Sequence, residues 1–137
     1  MKKMYILFML LFVLASCSKT TINAQMYEIN DFKCEVEIND YFYEILNNYD
    51  DYCENVNYNN IHDYSKDYFL NSSLVIIYIR DSTNANKYAL KEIVKNINKL
   101  EISVERTSQG ISQVFSTVSY CVEIECKNVK KVEIIKV

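Results

Sequence analysis

Hydrophobic and polar positions follow a few distinct rhythms along the chain. Phe32, Cys34, Val36 and Ile38 alternate with Lys33, Glu35 and Glu37, a period of two that predicts a half-buried strand beginning near Met26. Asn39 or Asp40 can then cap a helix. Its apolar residues Tyr41, Phe42, Ile45, Leu46, Tyr49, Tyr52 and Cys53 recur at steps of three and four, and its other face is acidic. Residues 55–60 hold four asparagines and predict a loop, after which Ile61, Tyr64, Tyr68 and Phe69 fit one short helix. Residues 74–79 form an unbroken apolar run rich in β-branched side chains, which predicts a central strand covered on both faces.

Downstream, Asp81, Ser82 or Thr83 can cap a second helix over 84–100, with Leu90, Ile93, Val94, Ile97 and Leu100 as its buried stripe. A strand is expected at 102–106, the only glycine turn at Gly110, and a longer strand over 114–126. In that longer strand Val118, Tyr120, Val122, Ile124 and Cys126 share one face, while Ser119, Cys121, Glu123 and Glu125 share the other. Lys127 and Asn128 make a tight turn into a last strand, 129–137, whose lysines discourage edge-to-edge pairing. The sum is an α+β domain over 26–137: two helices packed on one face of a mostly antiparallel sheet of four or five strands.

The N-terminus has a different character. Lys2 and Lys3 precede a charge-free apolar run from Met4 to Ala15, followed by Ser18, Lys19 and Thr20. That is the anatomy of a secretory signal segment, and the run is too short to span a bilayer, which takes about 20 apolar residues. It ends in Leu14, Ala15, Ser16 and Cys17, which resembles the lipobox of bacterial lipoproteins. The resemblance implies removal of 1–16 and attachment of a diacylglyceryl group and a further acyl chain such as palmitate to Cys17. It also implies a protein held at the cell membrane or outer membrane and facing periplasm or exterior. Two or more acyl chains anchor stably where one is marginal. The following residues, 17–25, are small and polar and are expected to act as a lipidated tether.

Composition narrows the chemistry. The 137 residues include one glycine, no proline, no tryptophan and one histidine. Phosphate-cradling glycine loops, dinucleotide fingerprints and nucleophile elbows are therefore excluded, as are multi-histidine metal sites, so no cofactor or metal is expected. Loss of 1–16 removes Lys2 and Lys3 and no acid, taking the net charge from −3 to −5. Residues 28–67 carry 11 acids and two lysines, whereas 80–136 carry ten basic and seven acidic residues. The chain has no basic footprint for nucleic acid. The two halves are expected to attract each other weakly across the fold.

Four cysteines remain beyond Cys17. Export permits disulfides, and on one strand Cys121 and Cys126 are too far apart to pair. Parity then favours Cys34 with Cys126 and Cys53 with Cys121, against the alternative of four buried free thiols. His62 is the only imidazole. A small envelope hydrolase using Cys53 and His62, or clustered acids such as Glu44 and Asp51, is the alternative to a non-catalytic binding or assembly module. Cys53, however, lies among Asp50, Asp51 and Glu54, which disfavour a thiolate. Asn55, Asn57, Asn59 and Asp63 copy a calcium-loop spacing but fail where glycine and the bidentate glutamate are required, at Asn60 and Lys66. A candidate binding face remains: Tyr41, Tyr49, Tyr52 and Tyr64 from a tyrosine-rich segment, and the lysine stripe Lys87, Lys91 and Lys95. It would meet an envelope protein or a glycolipid.

Overall fold

The structure, a computed structural model, describes residues 19–29, 40–55, 61–81, 87–97, 99–108 and 116–137. The elements in order are β1 (Thr20–Thr21), β2 (Ala24–Ile29), β3 (Tyr41–Leu46), α1 (Tyr49–Asn55), a 3-10 turn (Tyr68–Leu70), β4 (Ser73–Asp81), β5 (Lys87–Lys95), β6 (Leu100–Ser108), β7 (Ser116–Ile124) and β8 (Val132–Lys136). They form two four-stranded sheets, ordered β1-β5-β6-β8 and β2-β7-β4-β3. Every pairing is antiparallel except β6 with β8. The expected α+β arrangement of two helices on one sheet is therefore overturned: the described residues make a β-sandwich with one short helix.

The main core lies between the sheets. Val75, Ile77 and Ile79 of β4 and Val118, Tyr120, Val122 and Ile124 of β7 meet Tyr88 and Ile93 of β5, Leu100, Ile102 and Val104 of β6, and Val132 and Ile134 of β8. A second core lies on the far side of the β2-β7-β4-β3 sheet. There Leu74, Ile76, Tyr78 and Cys121 pack under Tyr52 of α1 and Phe69 of the 3-10 turn. Residues 74–79 are wholly buried because β4 is covered on both faces, as its unbroken apolar run predicts. Among the described residues β6 begins by alternating, with Glu101 between the buried Leu100 and Ile102; Ser103 and Val104 are buried too, and the strand is exposed from Glu105 onward.

Of the two helices expected from the three-and-four spacing, the first is a strand over 41–46 and helical only at its end, and the second is a strand over 87–95, for two physical reasons. Over 41–46, Tyr41, Tyr43 and Ile45 face the inter-sheet core while Phe42 and Leu46 face the outer one. A strand apolar on both sides has no period of its own, so a helical template fits it. Only Tyr49–Asn55 is helical, capped by Asn48, whose Oδ1 accepts the Asp51 amide at 2.8 Å. Over 87–95 the cause is a β-bulge. Leu90 pairs with Val104 and Glu92 with Ser103, leaving Lys91 unopposed on β6. Inward residues therefore step from Tyr88 to Leu90 to Ile93, and the extra residue imitates helical spacing. Val94 faces the other way, Ile97 stands in the β5-β6 turn, and Leu100 opens the next strand.

The short helix expected from Ile61 to Phe69 is reduced to the turn Tyr68–Leu70. The last strand begins at Val132 and lies parallel to β6, not against β7. Both edges of β7 are occupied by β2 and β4, so the chain crosses to the other sheet through 125–131. Asn128 makes that turn in the left-handed region at φ 58°, a conformation asparagine tolerates better than most residues. The residues expected to form a tether, 17–25, belong instead to the fold from Thr20 onward. Thr20 and Thr21 pair with Lys95 and Val94 of β5, and the alternating Ile22, Ala24 and Met26 pack on the inter-sheet core. The expected strand at 32–38, the asparagine loop beyond Asn55 and the Gly110 turn lie outside the described residues.

Among the described residues, attraction between the acidic and basic halves takes the form of two ion pairs across the fold. Lys87 Nζ sits 2.7 Å from Glu28 Oε2, and Lys136 pairs with Asp40. Both are solvent-exposed and contribute little each. The stability lies in the doubly covered strand. Ile77→Ala is expected to cost about 2–5 kcal/mol in urea unfolding, because it leaves a cavity in a site with no exposure to collapse from. The exposed Thr107→Ala on β6 should stay within about 0.5 kcal/mol of wild type.

Candidate functional site

The densest polar cluster stands on the outer face of the β2-β7-β4-β3 sheet, beneath the segment 61–68. Pairing of β2 with β7 sets Tyr27 opposite Cys121 and Gln25 opposite Glu123. The segment lays His62, Tyr64 and Tyr68 over them. Tyr64 donates its hydroxyl proton to Glu123 Oε1 at 2.6 Å. That leaves the Tyr27 hydroxyl, 2.8 Å away, to donate to the Tyr64 oxygen while it accepts the His62 amide at 3.1 Å. The protons are thus ordered from Tyr27 to Tyr64 to Glu123. His62 stacks on Tyr27 with ring centroids 4.0 Å apart, and its Nδ1 lies 3.1 Å from Glu123 Oε1. Tyr52 reaches up from α1, donating to the His62 carbonyl at 3.1 Å and accepting the Tyr64 amide at 3.4 Å.

Burial, followed by the hydrogen bond to Glu123, pushes the Tyr64 phenol far above its ordinary value. Burial and the neighbouring Cys121 do the same to Tyr27, and burial followed by the charge of Glu123 does so to Tyr68. Desolvation raises the Cys121 thiol from 9.0 to about 11. At neutral pH the cluster therefore holds protonated phenols and a protonated thiol around Glu123. This is a clasp that holds 61–68 onto the sheet. Cys121 has no exposure and carries its proton, so it is no nucleophile.

The candidates named from sequence are dispersed. Cys53 is exposed on α1, and its thiol bonds to Tyr49 and raises that phenol. His62 bonds to Tyr27, Tyr52 and Glu123, so Cys53 and His62 are not brought together. Asp51 accepts from Asn48 at 2.7 Å, and Glu44 on β3 accepts from Tyr78 at 3.0 Å. Among the described residues, no group of three His, Cys, Asp or Glu side chains is placed to hold a metal ion. Cys53, Cys121 and Cys126 are free thiols, so the expected bond between Cys53 and Cys121 is not formed. Cys121 and Cys126 lie in different cores, and Cys34 and Cys17 lie outside the described residues.

The tyrosines do not make one exposed face. Tyr41 packs toward the inter-sheet core, whereas Tyr52 is buried in the outer core with Tyr49 and Tyr64 packed around it. Tyr52 meets Tyr64 edge-on, with ring centroids 5.5 Å apart. Lys87, Lys91 and Lys95 lie along β5 and not on a helix. Lys87 is paired with Glu28, while Lys91 and Lys95 are exposed. Sequence reasoning missed Tyr27 and Glu123 as partners of His62. The available signal was Glu123 itself, a carboxylate two residues from Cys121 on a face that a doubly buried sheet would have to cover. In the comparisons with known proteins, no family model, curated protein or solved structure matches this chain.

The cluster sets a pH dependence. In the unfolded chain the Cys121 thiol ionises near 9.0 and the phenols near 10.0, while the folded state keeps these protons to higher pH. The resulting stabilisation is fully present below about pH 9 and is lost as pH rises, because unfolding then releases protons. The urea midpoint should fall from about pH 9 upward, and less steeply in Tyr64→Phe. A midpoint flat to about pH 11 would contradict the clasp.

A chemical probe distinguishes the thiols. A maleimide should modify Cys53 in the native protein, mapped by peptide mass. Cys121 should react only after denaturation.

Proposed function

We propose that the chain is a lipid-anchored bacterial lipoprotein whose β-sandwich serves as a binding or assembly module at the cell envelope, without chemistry of its own. The lipobox-like Leu14, Ala15, Ser16 and Cys17 supply the anchor. The observation that carries the reading is the shortness of the link. Only Ser18 and Lys19 separate Cys17 from Thr20, the first residue paired into a sheet. Three Cα steps span at most about 11 Å. A folded body so close to an acylated residue rests against the membrane and does not swing from it. No helix among the described residues is long and apolar enough to cross a membrane, so the acyl chains would carry the attachment.

The side chains with chemical potential support a binding role over a hydrolytic one. His62, Glu123, Tyr27 and Tyr64 satisfy one another, and no hydrogen bond joins Cys53 to His62. An envelope protein or a glycolipid is the class of partner that this position makes available. The anchor is tested in intact cells fed an alkyne palmitate analogue. Wild type should take up label and fractionate with membranes, whereas Cys17→Ser should take up none. A wild-type chain that stays unlabelled removes the basis of this reading.

A further inference from the structure

At the end of the sandwich where Thr20 pairs with Lys95, the β5-β6 turn and the 125–131 crossing enclose a hollow of about 220 Å³. Its lining includes Lys95, Lys99, Lys127, Lys130, Lys131 and Ile97, and no acidic residue. These lysines are far apart in sequence and converge only because β8 returns beside β6 in parallel. Lys99 is engaged: it bridges Glu101 and Glu133, two carboxylates set side by side by the β6-β8 register. Lys19 adds a second cation to Glu101, 3.6 Å away. With those acids neutralised, Lys95, Lys127, Lys130 and Lys131 stand exposed with no carboxylate within salt-bridge distance among the described residues.

The walls are held in place. Asn47 accepts the Val129 amide at 2.9 Å and donates to the Val129 carbonyl at 2.8 Å, fixing the crossing to the sheet. Leu100 N donates to the Lys131 carbonyl and Asn96 N to the Lys99 carbonyl, each at 2.9 Å. Beside the lysines, at the tip of the turn, Ile97 is 82% exposed, the most exposed large hydrophobic side chain described. A protruding aliphatic residue beside Lys95, Lys127 and Lys130, which form no salt bridge among the described residues, combines the two attractions of an anionic lipid surface: phosphate for the ammonium groups and hydrocarbon for the tip.

We propose that this hollow is the membrane-facing site of the domain and binds the phosphate of anionic lipid headgroups, with Ile97 dipping into the interface. The inference rests on the acylation of Cys17 for its geometry. Thr20, three positions after Cys17 in sequence, pairs with Lys95, so the anchor would bring the lysine hollow against the leaflet that holds it. The acyl chains supply attachment and the hollow supplies orientation. The outer face of the β2-β7-β4-β3 sheet is then left to the aqueous side.

The chain has no tryptophan, so Ile97→Trp gives a single reporter. The acylated full-length chain carrying this change is mixed with vesicles of pure phosphatidylcholine or of equal parts phosphatidylcholine and phosphatidylglycerol. Sedimentation with pure phosphatidylcholine reports the anchor alone. Blue-shifted emission, quenched by brominated acyl chains and dependent on phosphatidylglycerol, reports the hollow. Each of Lys95→Glu, Lys127→Glu, Lys130→Glu and Lys131→Glu should weaken the phosphatidylglycerol-dependent embedding roughly five-fold or more, and high salt should abolish it. All four sites are exposed, and an unchanged urea midpoint checks that each variant folds.

If the chain sediments but its emission ignores phosphatidylglycerol and the lysine changes, the site is refuted while the anchor stands. If emission responds to phosphatidylglycerol but the chain fails to sediment with phosphatidylcholine, the anchor is refuted while the site stands. Inorganic phosphate, added at matched ionic strength, should not compete. Displacement by it at millimolar concentration would assign the hollow to a soluble phosphate instead and overturn the lipid assignment.

Discussion

Burial of β4 and β7 on both faces is the constraint from which most of this molecule follows. A sheet covered by a second sheet on one side still leaves Leu74, Ile76, Tyr78 and Cys121 in need of cover on the other. One short helix and the segment 61–70 supply it, largely with tyrosine and phenylalanine. Aromatic rings cover a wide area per residue, which lets so short a segment close the layer. Their hydroxyls need partners once buried, and that need explains the bonds of Tyr27, Tyr52 and Tyr64 with Glu123 and with the backbone of 62–64. The polar cluster that looks most like an active site is thus the consequence of a packing requirement.

The same logic governs the crossings between sheets. β7 has both edges filled, so the chain after Ile124 cannot form a hairpin with it and must leave for the other sheet. Asn128 provides the left-handed turn, and Asn47 clamps the emerging strand at Val129. In a chain with one glycine and no proline, asparagine performs both tasks: it adopts the turn conformation and it satisfies stray backbone groups through its amide. The lysines of 127–131 reach Lys95 and Lys99 through this crossing. The charge arrangement at the end where Thr20 pairs with Lys95 is accordingly a product of topology.

Attachment and architecture meet at the N-terminus. Thr20 is already paired into a sheet with Lys95, only three positions after Cys17 in sequence. On the proposed anchoring, the end of the sandwich that holds Thr20 and Lys95 would face the membrane, and the covered tyrosine layer would lie away from it. A long tether would let the domain search for partners in any orientation. On the proposed anchoring, a link of two residues would present one aspect of the domain instead.

Residue order alone determined the features that depend on local pattern. These are the doubly buried run at 74–79, the alternating faces of β7, and a turn at Lys127 and Asn128. Each is set by neighbours in sequence, so no knowledge of distant contacts is needed. Tertiary structure decided whether 41–46 and 87–95 are helix or strand. Their apolar spacing is compatible with both: burial on two faces erases the period in the first, and the unopposed Lys91 shifts it in the second. It also decided which polar residues meet. Tyr27, His62 and Glu123, or Lys95 and Lys131, are brought together only by strand order and register, and these emerge from the packing of the whole chain.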